Sequence, residues 1–234
     1  MTFRDQTVLV TGAAGNLGRA VANAFAEQGA NLILLDQSQD RLESAFGSDG
    51  VQRCLAPANL LLPEEADAAV RKGLERFERL DVVCNIAGGF RMGEAVHETS
   101  DATWNFLLDL NVRTMLNTVR AAVPHLIRQG SGKVVNVGAY AAQRGVAQMG
   151  AYCATKSAVI RLTEAMAAEL RDSGINVNCV LPTVIDTPEN RAAMPEADPG
   201  KWVVPEDLAN VVLFLASKAA RAIHGAAVPV TGLS

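Results

Sequence analysis

Tyr152 and Lys156 lie four residues apart in the run Tyr152-Cys-Ala-Thr-Lys156, within a segment of helical periodicity. On a helix this spacing puts both side chains on one face. An ammonium beside a phenol favours the phenolate and lowers the tyrosine pKa, which makes a general acid/base usable near neutral pH. The same pair also fits the solvated face of an amphipathic helix, so its meaning depends on what the fold places beside it. A second set of residues supplies that context. Thr7-Val-Leu-Val-Thr-Gly-Ala-Ala-Gly-Asn-Leu-Gly18 is an apolar run ending in a threonine and three glycines, followed by an alanine-rich amphipathic stretch. Gly12 suits a tight turn, Gly15 a close approach of backbone to phosphate, and Gly18 a close packing of helix on strand. A helix starting there aims its free N–H groups and positive dipole end at the loop, across Asn16 and Leu17, so a pyrophosphate is the natural occupant. The next apolar run, Asn31-Leu-Ile-Leu-Leu-Asp36, ends in an acid roughly 20 residues on, where a ribose hydroxyl would be held.

The elements that must carry these groups alternate along the chain. Strands are expected at 7–11, 31–35, 51–55, 80–87, 132–137, 175–181 and 226–230. Helices are expected at 17–28, 40–46, 63–79, 150–172 and 205–217, with one long or broken helical stretch over 101–129. Continuous apolar strands separated by helices predict a parallel sheet covered on both faces, as one doubly wound α/β domain over 1–234. A Pro-punctuated loop fills about 183–204.

Composition narrows the partners. The chain of 234 residues is 49% hydrophobic and carries a formal charge of −4. That is ample for one core, and it argues against nucleic acid or an anionic membrane as the main partner. Cys54, Cys84, Cys153 and Cys179 are widely spaced, which fits reduced thiols better than a disulfide framework or a zinc site. His97, His125 and His224 show no ligand spacing, so no metal is expected. No charged-then-apolar leader opens the sequence and no apolar run approaches the ~18 residues of a membrane span, so a soluble, cytoplasmic protein is expected. The charged residues over 64–79 read as a solvated helix face. The broad apolar character of 105–127 and 152–170 exceeds what one sheet face needs, and part of it fits a subunit interface.

Taken together, T-G-A-A-G-N-L-G at 11–18, Asp36, Asn85-Ile-Ala-Gly88, Asn111 within Leu-Asn-Val and Tyr152…Lys156 resemble the short-chain dehydrogenase/reductase family over essentially the whole chain. The resemblance implies a Rossmann fold, a nicotinamide cofactor, a small-molecule substrate and assembly as a homodimer or homotetramer. It implies Tyr152 as proton donor or acceptor, Lys156 as the group that lowers its pKa and binds the nicotinamide ribose, and Asn111 as holder of a proton-relay water. Gly12, Gly15, Asn16, Leu17 and Gly18 would take the pyrophosphate, and Asn59, Leu60, Asn85, Ala87 and Gly88 the adenine-ribose side. Pro182, Val184, Ile185 and Thr187 would meet the nicotinamide carboxamide. Asp36 would accept the ribose hydroxyls and repel a 2′-phosphate, and Asn16, Gln37 and Ser38 offer no cation to neutralise one, so NAD is the expected cofactor.

Several positions depart from the family pattern. Thirteen residues before Tyr152, where the family usually has a serine, the chain has Ala139. Tyr140 either supplies a substitute hydroxyl or simply flanks the pocket. Asn16 stands where the middle glycine usually falls; asparagine tolerates positive φ, so the loop is expected to survive. Asn59 replaces an acid, and its amide oxygen can still accept an adenine amino proton. Cys84 with Ala87-Gly-Gly-Phe, the Gly138-Ala139 pair and the segment from Leu181 to Trp202 resemble dihydropteridine reductases, whereas Asn111 matches the general family. The loop 183–204 would cover the substrate, and Met194 and Trp202 either contact that substrate or pin the loop to the body.

Overall fold

The computed structural model describes residues 1–234. Its strands are β1 (Thr7–Thr11), β2 (Asn31–Leu35), β3 (Arg53–Leu55), β4 (Val82–Asn85), β5 (Gly132–Val137), β6 (Ile175–Pro182) and β7 (Ala227–Val230). The helices are α1 (Asn16–Glu27), α2 (Gln39–Phe46), α3 (Pro63–Phe77), α4 (Asp101–Leu108), α5 (Thr114–Gln129), α6 (Gly150–Leu170), α7 (Pro188–Ala193) and α8 (Pro205–Ala216). All seven strands pair in parallel in the order β3-β2-β1-β4-β5-β6-β7. Alternation along each strand feeds two cores. Val8, Val10, Leu32 and Leu34 pack with Val21 and Phe25 of α1 and Leu208 and Val212 of α8. Leu9, Ile33 and Leu35 point the other way, onto Val70 of α3, Ala122 of α5 and Val159 of α6. No helix is long and apolar enough to cross a membrane.

The strand order reverses between β1 and β4, and the crevice that binds ligands in such sheets opens there, at the carboxyl ends of the strands. Two local devices shape it. The Thr11 hydroxyl accepts from the N–H groups of Ile86 (3.0 Å) and Ala87 (3.1 Å). Those donors are thereby lost to the sheet ladder, so β4 stops at Asn85 and does not run on to 87 as its apolar composition suggested. Gly12 holds the left-handed conformation (φ +61°), which L side chains rarely adopt. Asn16 is not at positive φ, so the tolerance expected of asparagine is not called upon; it simply begins α1.

The helical stretch 101–129 is broken. A π-helical turn at Asp109–Arg113 separates α4 from α5 and carries Asn111 inward. Single π turns of this kind recur at functional positions. The loop over 183–204 contains a short helix that the hydrophobic pattern does not announce, α7. Its start is nevertheless written locally: Thr187 Oγ1 accepts from the Asn190 N–H at 3.2 Å, and Pro188 occupies the first turn.

The three glycines of the first turn are not equivalent. A Cβ on Gly18 would lie 2.1 Å from the Gly12 carbonyl oxygen, whereas one on Gly15 would meet only that oxygen at 3.3 Å, from an ordinary φ of −74°. Gly18→Ala is therefore expected to lower stability by about 1–3 kcal/mol through overpacking, and Gly15→Ala to stay within about 0.5 kcal/mol of wild type. Thermal unfolding of the two variants side by side checks this; equal midpoints would contradict the close approach.

Candidate active site

A cleft of about 1310 Å³ runs across the carboxyl edge of the sheet. At one end it is floored by Gly12, Gly15, Asn16, Leu17 and Gly18. No side chain caps the N-terminus of α1, so its first N–H groups face the cleft without an acceptor. Beside them stands the buried Asp36. Its Oδ2 accepts from the Ala14 N–H at 3.1 Å and its Oδ1 from the Gln37 N–H at 2.9 Å, which fixes the carboxylate while leaving lone pairs for hydroxyl donors. Arg41, one turn into α2, sits 3.1 Å from Asp36 Oδ1 and also lines the cleft. Asn59 closes this end; its side-chain oxygen accepts from the Leu61 N–H at 3.1 Å, and its own N–H donates to Glu65 at 2.7 Å.

At the other end α6 delivers Tyr152 and Lys156. The Tyr152 ring meets Phe90 edge-on with centroids 4.8 Å apart, and it packs against a small apolar cluster that includes the buried Ala139. Lys156 is buried and donates to the Val137 carbonyl at 2.8 Å. A Cβ on Gly88 would lie 2.9 Å from Asn111 Oδ1 and 3.1 Å from Lys156 Nζ, so the β4 loop can pass this close only as glycine. Asn111 clasps the next residue in both directions: it accepts from the Gly89 N–H at 2.9 Å and donates to the Gly89 carbonyl at 3.1 Å, with Thr155 at 3.3 Å. Pro182, Thr183, Val184, Ile185, Thr187, Asn190 and Met194 form the roof. That roof is tied to the floor where Asn16 donates to Glu189 at 2.7 Å, with Arg19 donating to Asn16 at 3.1 Å.

The short chain dehydrogenase family model matches residues 6–198. The chain belongs to the short-chain dehydrogenase family. It is 30% identical to a (2S)-[(R)-hydroxy(phenyl)methyl]succinyl-CoA dehydrogenase subunit, BbsD, of Thauera aromatica, over 99% of this chain and 97% of that one. It is likewise 30% identical to the 3-oxoacyl-[acyl-carrier-protein] reductase FabG of Thermotoga maritima, over 99% and 98%. Among solved structures, a short-chain type dehydrogenase/reductase from Mycobacterium ulcerans superposes with a TM-score of 0.93 at 28% identity, covering 100% of this chain and 90% of that one. A 3-ketoacyl-(acyl-carrier-protein) reductase from Brucella melitensis, complexed with NADH, gives 0.89 at 27% identity, covering 99% and 98%. The uncapped helix, the glycine cradle at 12, 18 and 88 and the oriented Asp36 fit the nicotinamide dinucleotide that this family binds.

Most residues singled out from the sequence converge on this one cleft: the Gly-rich turn, Asp36, Asn59, Leu60, Ala87, Gly88, Ala139, Tyr140, Tyr152, Lys156, Pro182, Val184, Ile185, Thr187 and Met194 all line it. Three do not. Asn85 is buried within the sheet and donates to Asn136 Oδ1 at 2.8 Å, because an alternating strand residue beside the lining Ile86 must face away. Asn111 lies behind Gly89, bracing the loop. Trp202 is buried and pins the base of the loop, so of the paired expectation only Met194 reaches the cleft. The sequence reading missed Arg41, Phe90, Met92, Phe106, Arg144 and Met149. Arg41 was within reach of inspection, since the first turn of α2 had to return toward Asp36.

The electrostatics correct one expectation. Burial pushes Tyr152 up to about 12, with a smaller contribution from Cys153, and burial brings Lys156 down to about 8. The ammonium is directed to the Val137 carbonyl, so in the cofactor-free protein desolvation governs both groups and no lowering of the phenol results. For Lys156 the sign follows from proton counts. Between about 8 and the ordinary 10.5, the unfolded chain holds a proton that the fold does not, so stability rises with pH across that window. The full cost, on the order of 3 kcal/mol, applies below it. Allowing about 1 kcal/mol for the lost hydrogen bond to Val137, Lys156→Met should stabilise the cofactor-free protein by about 2 kcal/mol at pH 7. The gain should fade toward pH 10, below the range in which the Tyr152 shift acts. Urea unfolding at pH 7, 9 and 10 measures the trend; a gain independent of pH would contradict it.

Proposed function

We propose that this short-chain dehydrogenase is an NADH-preferring oxidoreductase of a small carbonyl or quinonoid compound, with Tyr152 as its acid/base. The observation that carries the reading is the neutral, partly buried Tyr152 phenol at the opposite end of one cleft from the uncapped α1 terminus and Asp36. When bound, the nicotinamide supplies or takes the hydride. The protein's part is proton and geometry. In the reductive direction Tyr152 donates its hydroxyl proton to the substrate oxygen, Lys156 holds the β5 edge through Val137, and Asn111 keeps the Gly88-Gly89 loop in place. The names of the relatives, a (hydroxy(phenyl)methyl)succinyl-CoA dehydrogenase subunit and a 3-oxoacyl-[acyl-carrier-protein] reductase, support chemistry at a carbonyl or hydroxyl carbon, and the NADH complex supports the dinucleotide. Asp36 favours the free ribose hydroxyls of NADH, while Arg41, already paired to it, softens the exclusion of a 2′-phosphate. A non-catalytic binder has no use for the transferable proton of Tyr152.

Dihydropteridine reduction is the narrower alternative, favoured by Ala139. No hydroxyl stands at that position to polarise a ketone oxygen, and a conjugated quinonoid ring spreads the incoming electron pair without one. The four buried free thiols support a reducing, cytoplasmic compartment. The exposed Trp104 and Ile127 on α4 and α5 support a homodimer or homotetramer.

Tyr152→Phe keeps the ring and its packing but loses the proton, so NADH affinity should persist while kcat falls by about 10²-fold or more. NADH fluorescence titration and initial rates with NADH and NADPH test this; a variant retaining more than about a tenth of wild-type kcat would sink the acid/base role. Ala139→Ser should raise ketone reduction by up to about 10²-fold, the usual worth of one such donor, with no matching gain on quinonoid dihydropterin. Parallel kinetics on a ketone and the pterin decide that point, and equal gains on both would remove the case for a conjugated acceptor.

A further inference from the structure

Five charged side chains line the cleft: Asp36, Arg41, Asp109, Arg144 and Lys156. Four are engaged within the protein. Asp36 and Arg41 pair at 3.1 Å at the adenosine end. Asp109 is held by Arg113 at 2.6 Å. Lys156 is buried and donates to the Val137 carbonyl. Arg144 has neither an acidic partner nor a carbonyl acceptor. It is exposed, and it follows the short turn at Tyr140–Gln143 in an extended conformation, φ −153° and ψ 167°, beside the segment that leads into Tyr152.

Large apolar side chains line the same cleft. Phe90, Met92, Phe106, Met149 and Met194 form the substrate half of the cleft together with Tyr140. Phe90 and Met92 are more than half exposed (52% and 56%), surface that a ligand of similar character would cover. The Arg91 guanidinium stands 3.9 Å from the Phe106 ring centroid.

From this juxtaposition we infer that the substrate is an apolar, aryl- or alkyl-bearing carbonyl or quinonoid compound carrying one carboxylate, and that Arg144 is the specificity-determining residue that takes that carboxylate. The inference rests on the reading of the cleft given above and narrows its substrate class. A guanidinium offers a planar fork of donors that matches a carboxylate in two parallel hydrogen bonds. The one unpaired cation that lines the cleft matches one negative charge; a phosphate dianion would leave half its charge unmet there. The apolar body would displace water from around the pair and strengthen it relative to an open surface contact. The carboxylate then also sets direction, since anchoring one end on Arg144 leaves the other to present its reducible atom to Tyr152.

Hydrocinnamate and its amide are probes of one shape that differ in charge. Isothermal titration of each into the NADH-loaded protein should show the acid binding about tenfold tighter, the lower range for a charge-assisted hydrogen bond at a partly exposed site. Arg144→Gln should abolish that preference while leaving the affinities for NADH and for the amide unchanged; the NADH value doubles as the check on folding. An acid that binds no tighter than the amide, including no binding by either, overturns the inference while leaving NADH binding and the Tyr152→Phe result standing. A preference that survives Arg144→Gln overturns it as well. Failure of wild type to bind NADH removes the underlying reading and this one with it.

Discussion

The cleft depends on how closely β1, the first turn and the β4 loop approach one another. The Gly12 carbonyl lies where a side chain at position 18 would have to be, and the Gly12 α-carbon is so near Ala87 that an added Cβ would stand 2.9 Å from its Cα. Thr11 completes the seam by binding two N–H groups that the sheet gives up when β4 ends. Because these contacts are backbone to backbone, they leave almost no slack. The crevice at the reversal of strand order is therefore set to a fixed width before any ligand enters, which is the preorganisation that dinucleotide binding and hydride geometry both require.

Periodicity and punctuation made nearly all of the fold legible. The continuous apolar runs placed the strands to within a few residues, because burial on both faces of a parallel sheet writes itself as continuous apolar sequence. What escaped was whatever depends on neighbours distant in the chain. β4 ends early because a threonine from β1 takes its donors. The π turn at Asp109–Arg113 accompanies the inward clasp of Asn111 on Gly89, and α7 is too short for any hydrophobic pattern.

The site was legible in part for the same reason. The Gly-rich turn and the Tyr-Lys pair are defined by local spacing, and both line the one cleft. Asn85 illustrates the limit: its type suggested a ligand contact, but the two-residue alternation of a strand turns it into the sheet, onto Asn136. Charge reasoning failed in a similar way at Tyr152. Spacing on a helix shows that a lysine shares a face with a tyrosine, yet not that the amine is directed elsewhere or that desolvation outweighs the neighbouring charge. Arg41 shows the converse, a cation that alters the meaning of Asp36 from the following helix.

One feature of the fold, the uncapped N-terminus of α1, carries a consequence for the protein's life as a molecule. It is a deficit that an anionic dinucleotide would relieve, so binding would stabilise the native state. Binding adds stability by mass action, about 2.7 kcal/mol at a hundredfold excess over the dissociation constant. Newly made chains would then persist according to how much dinucleotide surrounds them, and a shortfall would send more of them to proteolysis. Steady-state abundance would then follow cofactor supply, with no regulatory domain needed to read it.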